Sequence, residues 1–249
     1  MLVLLPPSET KHPGGDGAPL DLAALSHPEL DPVREQLLGG IEALAGDVPA
    51  SRKALGVSAG QDAEIARNAA VRTAPTLPAL DRYTGVLYDA LDVRSLTRAQ
   101  RVKADRRLAV GSALFGLVHG GEPIPAYRLS AISHLPGLPR LRALWRPVLG
   151  LVLAAVADGL VVDLRSGSYA DLAPVPGAVT VDVLSERADG SRAVVSHFNK
   201  AHKGRLARLL ATTRAEPADV VGLVALLRRG GFHVERARGS AALTLVVPA

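Results

Sequence analysis

The stretch LVLLPPSETK, residues 2–11, decides the fold class. Four apolar residues in a row, stopped by Pro6 and Pro7, are typical of a short strand buried on both faces of a sheet. The run GLVVDL at residues 159–164 has the same character and also leads into polar residues. We predict that the two runs form neighbouring central strands, and that the loops following them leave the sheet at the same edge.

Helical periodicity dominates the chain between these two runs, and elements of both types follow the second. The predicted helices cover residues 29–45, 61–72, 78–91, 97–109, 138–157, 200–212 and 217–229. The predicted later strands cover residues 179–184, 192–196, 233–236 and 243–247, the first two joined by a hairpin turn at Asp189-Gly190. Because strands and helices do not alternate strictly, we predict a single α/β domain over residues 1–249, of α+β character with a mixed sheet, and not a doubly wound sheet.

The composition excludes several classes of protein. The chain has 249 residues, a formal net charge of +5 and no cysteine, which excludes disulfides, thiolate metal sites and a cysteine nucleophile. A P-loop, a GxGxxG motif and a GxSxG motif are all absent, and the seven histidines lack metal-binding spacing. We therefore predict no metal and no cofactor. The moderate basic excess is compatible with a nucleic acid or a phosphorylated ligand.

The apolar runs indicate no association with a membrane. The first run, at residues 1–5, has no basic residue before it and meets two prolines at once. The run at residues 148–157 is shorter than the roughly 20 residues that a spanning helix needs. We expect a soluble, cytoplasmic protein that is a monomer.

The segment SHFNKAHKGRLARLL, residues 196–210, predicts a helix that is basic on one face. At 100° per residue, Lys200, Lys203 and Arg208 fall on one side. The two lysines lie near the start of the helix, where the free N–H groups and the helix dipole already favour an anion. A phosphate is the natural partner of such a face, and a solvated basic face over an apolar packing stripe is the alternative.

Four polar segments are candidate parts of a site: residues 8–11, 81–88, 123–129 and 163–171. The first and last follow the two central strands, where sites of α/β proteins collect. Each segment also has a structural interpretation, respectively a surface turn, an amphipathic helix, an ion pair beside a buried tyrosine, and a Ser/Gly turn. All four tyrosines of the chain fall within or beside these segments, which favours a shared pocket over packing alone.

Taken in order, these segments resemble the YaaA family of peroxide-stress proteins over nearly the whole chain. The matching blocks are LVLLPPSETK, DRYTGVLYDAL, LAVGSALFGLVHGGEPIPAYRL, LRALW, VVDLRSGSY and SHFNKAHKGRLAR. The resemblance implies one domain of unusual topology with a basic cleft, binding of duplex DNA, and a role in surviving hydrogen peroxide that is linked to limiting free iron. The residues that match the family's motifs, and to which the resemblance assigns a role in the site, are Thr10, Tyr83, Gly85, Ser112, Tyr127, Arg128, Trp145, Ser166, Tyr169, Ser196, Lys200, Lys203, Gly204 and Arg208.

Three positions depart from the family's pattern. Glu9 stands where the family has a lysine in the first loop, with Lys11 nearby as a replacement. Ala126 replaces the proline before Tyr127, and Ser168 stands where the family commonly has an acidic residue. These differences put phosphate binding by the first loop in doubt and indicate a divergent branch with its own ligand.

Two hypotheses from different classes follow, and a scaffold or partner-binding protein is a third. In the first, the protein binds nucleic acid, specifically duplex DNA, through a basic cleft. In the second, it is an enzyme acting on a nucleoside, a nucleotide or another small anionic substrate, with Lys200, Glu9, Tyr83 and Tyr169 as catalytic residues. The expected ligand-binding residues of either are Ser8, Thr10, Lys11, Gly85, Ser112, Tyr127, Arg128, Ser166, Ser196, Lys203 and Arg208.

Overall fold

The computed structural model describes residues 1–194 and 198–248. Its strands are β1 (Leu2–Leu5), β2 (Leu77–Pro78), β3 (Leu108–Ser112), β4 (Gly116–His119), β5 (Pro123–Ile124), β6 (Val161–Asp163), β7 (Val179–Glu186), β8 (Arg192–Val194), β9 (Val234–Arg236) and β10 (Leu243–Pro248). Its α-helices are α1 (Asp31–Ala45), α2 (Val48–Leu55), α3 (Asp62–Ala69), α4 (Ala79–Arg82), α5 (Val86–Leu91), α6 (Arg98–Arg107), α7 (Leu141–Val156), α8 (Gly167–Ala170), α9 (Phe198–Thr212) and α10 (Val220–Arg229).

One mixed sheet organises the molecule, in the order β4-β3-β1-β6-β7-β10-β9, with β8 paired to β7. The five strands from β3 to β10 run parallel to one another, whereas β4 and β9 close the two edges in antiparallel pairings. A mixed sheet in a single α/β domain is the predicted fold class, which is confirmed. β2 and β5 form a separate short antiparallel pair.

The two apolar runs are adjacent central strands, as predicted. β1 pairs in parallel with β6, with Val3 opposite Val162, and on its other side β1 pairs in parallel with β3. All four residues of β1 are buried, which explains its continuous apolar sequence. Because parallel strands end at the same edge, the loops after β1 and β6 emerge together, and this carboxyl edge carries the candidate site.

Helices cover the sheet and complete one hydrophobic core. The longest, α7, buries Leu141, Trp145, Leu149 and Val152 at helical spacing. The Trp145 ring packs where a Cβ at Gly116 would clash, and its Nε1 donates to the Ala113 carbonyl, 2.9 Å away. Within residues 1–194 and 198–248, no helix has the length and apolar character needed to cross a membrane.

Two predicted helices differ from the structure. The helix predicted over residues 78–91 is broken into α4 and α5, because Gly85 adopts a φ of +97° that no helix contains. The helix predicted over residues 97–109 ends at Arg107, and the chain enters β3 at once. Neither β3 nor β4 was predicted, because β3 follows α6 with no turn residue between them and the helical pattern extended into it.

The other predicted elements agree closely with the structure. The hairpin over Asp189-Gly190 joins β7 to β8, with Glu186 opposite Arg192. The pair that closes the chain, β9 and β10, is antiparallel. Residues 195 and 196 of the predicted strand lie outside the described residues.

Candidate functional site

The loop after β1 is held against the break between α4 and α5. Lys11 and Tyr83 form an isolated antiparallel bridge, and the Thr84 N–H donates to the Thr10 carbonyl at 3.2 Å. A Cβ at Gly85 would lie 3.3 Å from the Thr10 Oγ1 and 3.4 Å from the Ser8 Oγ. Glycine at this position therefore permits both the left-handed backbone and the close approach of the two hydroxyls, which lie 3.1 Å from each other.

The side chain of Lys11 is the centre of the site. Lys11 is only 8% exposed, and its Nζ lies 4.2 Å from the ring centre of Tyr127 and 5.4 Å from that of Tyr83. The amine donates to the Ser8 carbonyl at 3.0 Å and, more weakly, to the Glu9 carbonyl at 3.5 Å. Among the described residues it has no carboxylate within ion-pair distance.

Burial shifts the proton equilibrium of this amine. Loss of solvation, followed by repulsion from Arg128, lowers the pKa of Lys11 from 10.5 to about 7, against smaller opposing effects of Glu64 and Glu9. The ring faces of the two tyrosines favour the charged amine and act in the opposite direction. Both protonation states of Lys11 are therefore accessible near neutral pH, so the amine can donate or accept a proton.

A chain of hydroxyls lies under Lys11. The Ser112 Oγ accepts hydrogen bonds from the N–H groups of Leu114 and Phe115, so its proton is directed to the Tyr127 hydroxyl, 2.7 Å away. Tyr127 in turn lies 2.8 Å from the Tyr83 hydroxyl. Burial raises the pKa values of both tyrosines above the ordinary value, so they are neutral hydrogen-bonding groups at physiological pH.

The other two tyrosines complete the cluster. Tyr88 stacks on Tyr83 at 5.4 Å between ring centres, and its hydroxyl donates to the Pro6 carbonyl at 2.8 Å. Tyr169, on α8 at the end of β6, is half-buried, and burial raises its pKa to about 12. All four tyrosines thus meet at the carboxyl edge. The break at Gly85 is what lets Tyr83 and Tyr88 stack, although a continuous helix would have placed them on different faces.

Arg128 brings a second cation to the cluster. Its Nη2 donates to the Glu9 carboxylate at 2.8 Å, and its side chain is 10% exposed whereas that of Glu9 is 66% exposed. The buried Nε of Arg128 has no hydrogen-bond partner among the described residues. The Asn68 side chain exchanges two hydrogen bonds with the backbone of Arg128, at 2.7 and 2.9 Å, and so fixes the segment that carries the guanidinium.

The predicted basic residues of α9 have different environments. Lys200 is exposed, whereas Lys203 is partly buried with its Nζ 3.4 Å from the Leu164 carbonyl, and burial lowers its pKa. The Arg208 guanidinium donates to the Leu91 and Asp92 carbonyls that end α5. Arg208 therefore caps a helix, and of the three predicted phosphate ligands Lys200 is the most accessible. Ser196 lies outside the described residues.

The sequence-predicted residues thus divide into those that line the cluster and those that support it. Ser8, Glu9, Thr10, Lys11, Tyr83, Gly85, Tyr127, Arg128 and Tyr169 lie in or beside the cluster, and the exposed Ser166 lies in the loop that carries Tyr169. Ser112 is fully buried and acts through Tyr127. Sequence reasoning missed Asn68, because one asparagine within a helical pattern carries no local signal of a contact sixty residues away.

A separate groove of about 630 Å³ lies along another face of α9. Its lining includes His202, Arg205, Leu209, Phe232 and Val246, so it combines basic and apolar side chains. None of its lining residues belongs to the lysine–tyrosine cluster, which is formed by Lys11, Tyr83, Tyr88, Tyr127 and Tyr169. The groove and the cluster are therefore separate features of the molecule.

Removing one hydroxyl tests the hydrogen-bonded chain. We expect Tyr127→Phe to lower the free energy of unfolding by about 1–3 kcal/mol, because it leaves the buried hydroxyls of Ser112 and Tyr83 without their shared partner. Tyr169→Phe, at a half-buried position, should have a smaller effect. Urea denaturation of both variants measures the difference, and equal losses would show that the hydroxyl chain contributes no more stability than the single hydroxyl of Tyr169.

The fold and the site define a class of protein: a single α/β domain whose mixed sheet carries a buried lysine, four tyrosines and an arginine at its carboxyl edge. The family model described as peroxide stress protein YaaA matches residues 1–238. The chain therefore belongs to the YaaA family of peroxide stress proteins, as its sequence motifs predicted.

Several curated relatives are similar along their whole length. UPF0246 protein CE1889 of Corynebacterium efficiens is 52% identical over 99% of this chain and 100% of its own. UPF0246 protein Cgl1995/cg2186 of Corynebacterium glutamicum is 46% identical over 99% of this chain and 100% of its own. UPF0246 protein SCO2297 of Streptomyces coelicolor is 47% identical over 94% of this chain and 92% of its own.

Proposed function

We propose that this protein acts in the response to hydrogen peroxide by binding duplex DNA through a basic surface at the start of α7, with Lys200 of α9 as a further contact. The observation that carries this proposal is the charge of one segment. Residues 123–157 contain no acidic residue, and Arg140, Arg142 and Arg146 are exposed there. Among the described residues, none of these three arginines has an ion-pair partner.

The arrangement of these arginines fits a phosphate backbone. Arg142 and Arg146 are four residues apart and share one face of α7, and Arg140 directly precedes the helix. The free N–H groups of the first helical turn add to the same positive potential. The turn before the helix contains Gly137 with a φ of +75° and open space around its Cα. Nothing in this surface selects a base, so binding should be independent of DNA sequence.

The salt dependence of DNA binding tests this proposal, because each phosphate contact releases counterions. The triple variant Arg140→Ala, Arg142→Ala, Arg146→Ala should bind any duplex more weakly, and its salt slope should fall by about 2–3 between about 50 and 200 mM salt, near one unit per lost phosphate contact. Gel-shift titration at the two salt concentrations measures both quantities.

The matched control removes the same charge elsewhere. Arg187, Arg229 and Arg238 are also exposed and lie in the β7–β8 hairpin, at the end of α10 and after β9, toward the opposite edge of the sheet from β4. Their triple alanine variant should bind DNA nearly as well as the native protein. If both triple variants lose affinity equally, net charge alone governs binding and the α7 surface is not the DNA site.

A second candidate function is that of an enzyme acting on a nucleotide or another small phosphorylated substrate at the lysine–tyrosine cluster. The buried amine of Lys11, without a carboxylate partner and beside neutral tyrosine hydroxyls, is the observation that favours it. A DNA surface has no use for such an amine, whereas a general base or an amine nucleophile requires it. Lys200, to which the sequence hypothesis gave this role, is exposed, and Lys11 is the better candidate.

A further inference from the structure

We propose that Arg128 and Lys11 form the binding site for the phosphate group of a small ligand, and that Glu9 occupies this site until the ligand displaces it. The inference rests on the second candidate function and goes beyond it, since it assigns a ligand group, two binding residues and an internal competitor. Three observations carry it: the pairing of Arg128, the charges around Lys11, and the exposure of Glu9.

The guanidinium of Arg128 is only partly used. Its Nη2 is bonded to one oxygen of Glu9, and the neighbouring Nε is buried without a partner among the described residues. An anion with two oxygens can accept from Nε and Nη2 together, in the side-on geometry that arginine favours. A buried donor without a partner destabilises the protein, so a ligand that accepts its hydrogen bond gains affinity.

The charges around Lys11 leave an excess of positive charge. The charged groups that act on its amine are Arg128, Glu64, Glu9 and Arg67. Glu64 and Arg67 form an ion pair with each other, which leaves Glu9 alone against Lys11 and Arg128. Tyr83 and Tyr127 face the amine as neutral groups. A bound phosphate would therefore complete the charge balance of the cluster.

Glu9 is suited to be displaced. Its side chain is 66% exposed and lies on a loop, so its carboxylate can return to water without a large solvation cost. Solvent on the Glu9 side screens this ion pair and weakens it, although Arg128 itself is buried. Ser8 and Thr10 flank it with hydroxyls 3.1 Å apart, which would face a ligand that replaces the carboxylate.

Proton uptake when an anion binds would distinguish a site beside Lys11 from other anion sites. The amine of Lys11 has a pKa of about 7, so near neutral pH a large fraction of it is uncharged. A phosphate bound beside it favours the charged form and raises this pKa. Sulfate does not titrate near pH 7, so its binding should take up a fraction of a proton at about pH 7 through Lys11 alone, and its affinity should fall as the pH rises above that value.

The experiment is calorimetric titration of the protein with inorganic phosphate, with AMP and with sulfate at about pH 7, in two buffers of different ionisation enthalpy. We expect Glu9→Gln to bind about tenfold more tightly, because it removes the internal competitor and one negative charge. Arg128→Met should abolish binding, and Lys11→Met should bind all three anions more weakly and take up no proton with sulfate. Tighter binding of AMP than of phosphate would identify a nucleotide, and equal affinities would identify the phosphate group alone.

The outcomes separate this inference from the DNA proposal. Glu9 is exposed, so Glu9→Gln should fold, and unchanged or weaker phosphate binding by that variant would overturn the displacement of Glu9. Binding of sulfate by the native protein without proton uptake would place the anion away from Lys11. The α7 triple variant should bind phosphate normally, so a failure of DNA binding leaves this result unaffected. Absence of any phosphate or AMP binding to native protein and to Glu9→Gln would overturn the site itself.

Discussion

Gly204→Ala should destabilise the protein by about 3 kcal/mol or more, which is the upper range for overpacking a core. Gly204 lies on α9 where that helix crosses α5. A Cβ there would overlap the Leu87 carbonyl oxygen and lie 2.8 Å from the Ala90 Cβ. The clash is with backbone, so no side-chain rotation relieves it, and the two helices must separate. Separation would also move Lys203 and Arg208, which contact the end of β6 and the end of α5.

The matched control is Gly39→Ala on α1. Gly39 is also inside a helix, but a Cβ there meets nothing within 4 Å. Alanine should stabilise this helix by up to about 1 kcal/mol, because it restricts the unfolded chain and favours helix. Urea denaturation of both variants gives the comparison. A loss at Gly204 no greater than 1 kcal/mol would show that α5 and α9 adjust freely, against the close packing described above.

This glycine shows what the sequence could and could not predict. The block KAHKG was singled out for its lysines, and its glycine was carried over from the family pattern without a physical reason. The reason is a helix crossing between segments more than a hundred residues apart, which no local pattern encodes. The strands β1 and β6, in contrast, were predictable, and so was their position next to each other in the sheet, because short apolar runs followed by polar loops are typical of central parallel strands.

The site was predictable as a set of segments but not as a geometry. The tyrosines and polar loops identified the carboxyl edge, since hydroxyls and charges after buried strands seldom serve packing. No local pattern indicated that Lys11 is buried while Lys200 is exposed, because burial depends on how the first loop lies on the α4–α5 break. That break in turn depends on the backbone conformation of Gly85. The helical pattern of residues 78–91 predicted one continuous helix through this glycine.

Lys11→Met should make the protein more stable at neutral pH while removing its function. The folded-state pKa of Lys11 is about 7 and its ordinary value is 10.5, so between these values the unfolded chain binds more protons. Native stability should therefore rise with pH across this window. Burying the charged amine lowers the free energy of unfolding by on the order of 5 kcal/mol below about pH 7, and this loss disappears above about pH 10.5. The tyrosine rings make the loss smaller, because their faces favour the charged amine.

Three proteins measured by urea denaturation at about pH 6, 8 and 10 test this linkage. The native protein should gain stability as the pH rises. Lys11→Met should lose that dependence and exceed the native protein most at the lowest pH. Lys11→Arg should also lose the dependence but be less stable at every pH, because a guanidinium keeps its charge throughout. A native profile that is flat from pH 6 to 10 would contradict an uncharged form of Lys11 near neutrality.

The same variants connect stability to function. If Lys11 acts as a base or an amine nucleophile, cells carrying Lys11→Met or Lys11→Arg at matched protein levels should both lose peroxide survival, although one variant is stabilised and the other destabilised. A lysine that merely held phosphate would be replaced well by arginine, and survival of the Lys11→Arg strain would establish that simpler role. A buried amine without a carboxylate partner destabilises its own fold, which is the expected physical character of a chemical site and not of a structural one.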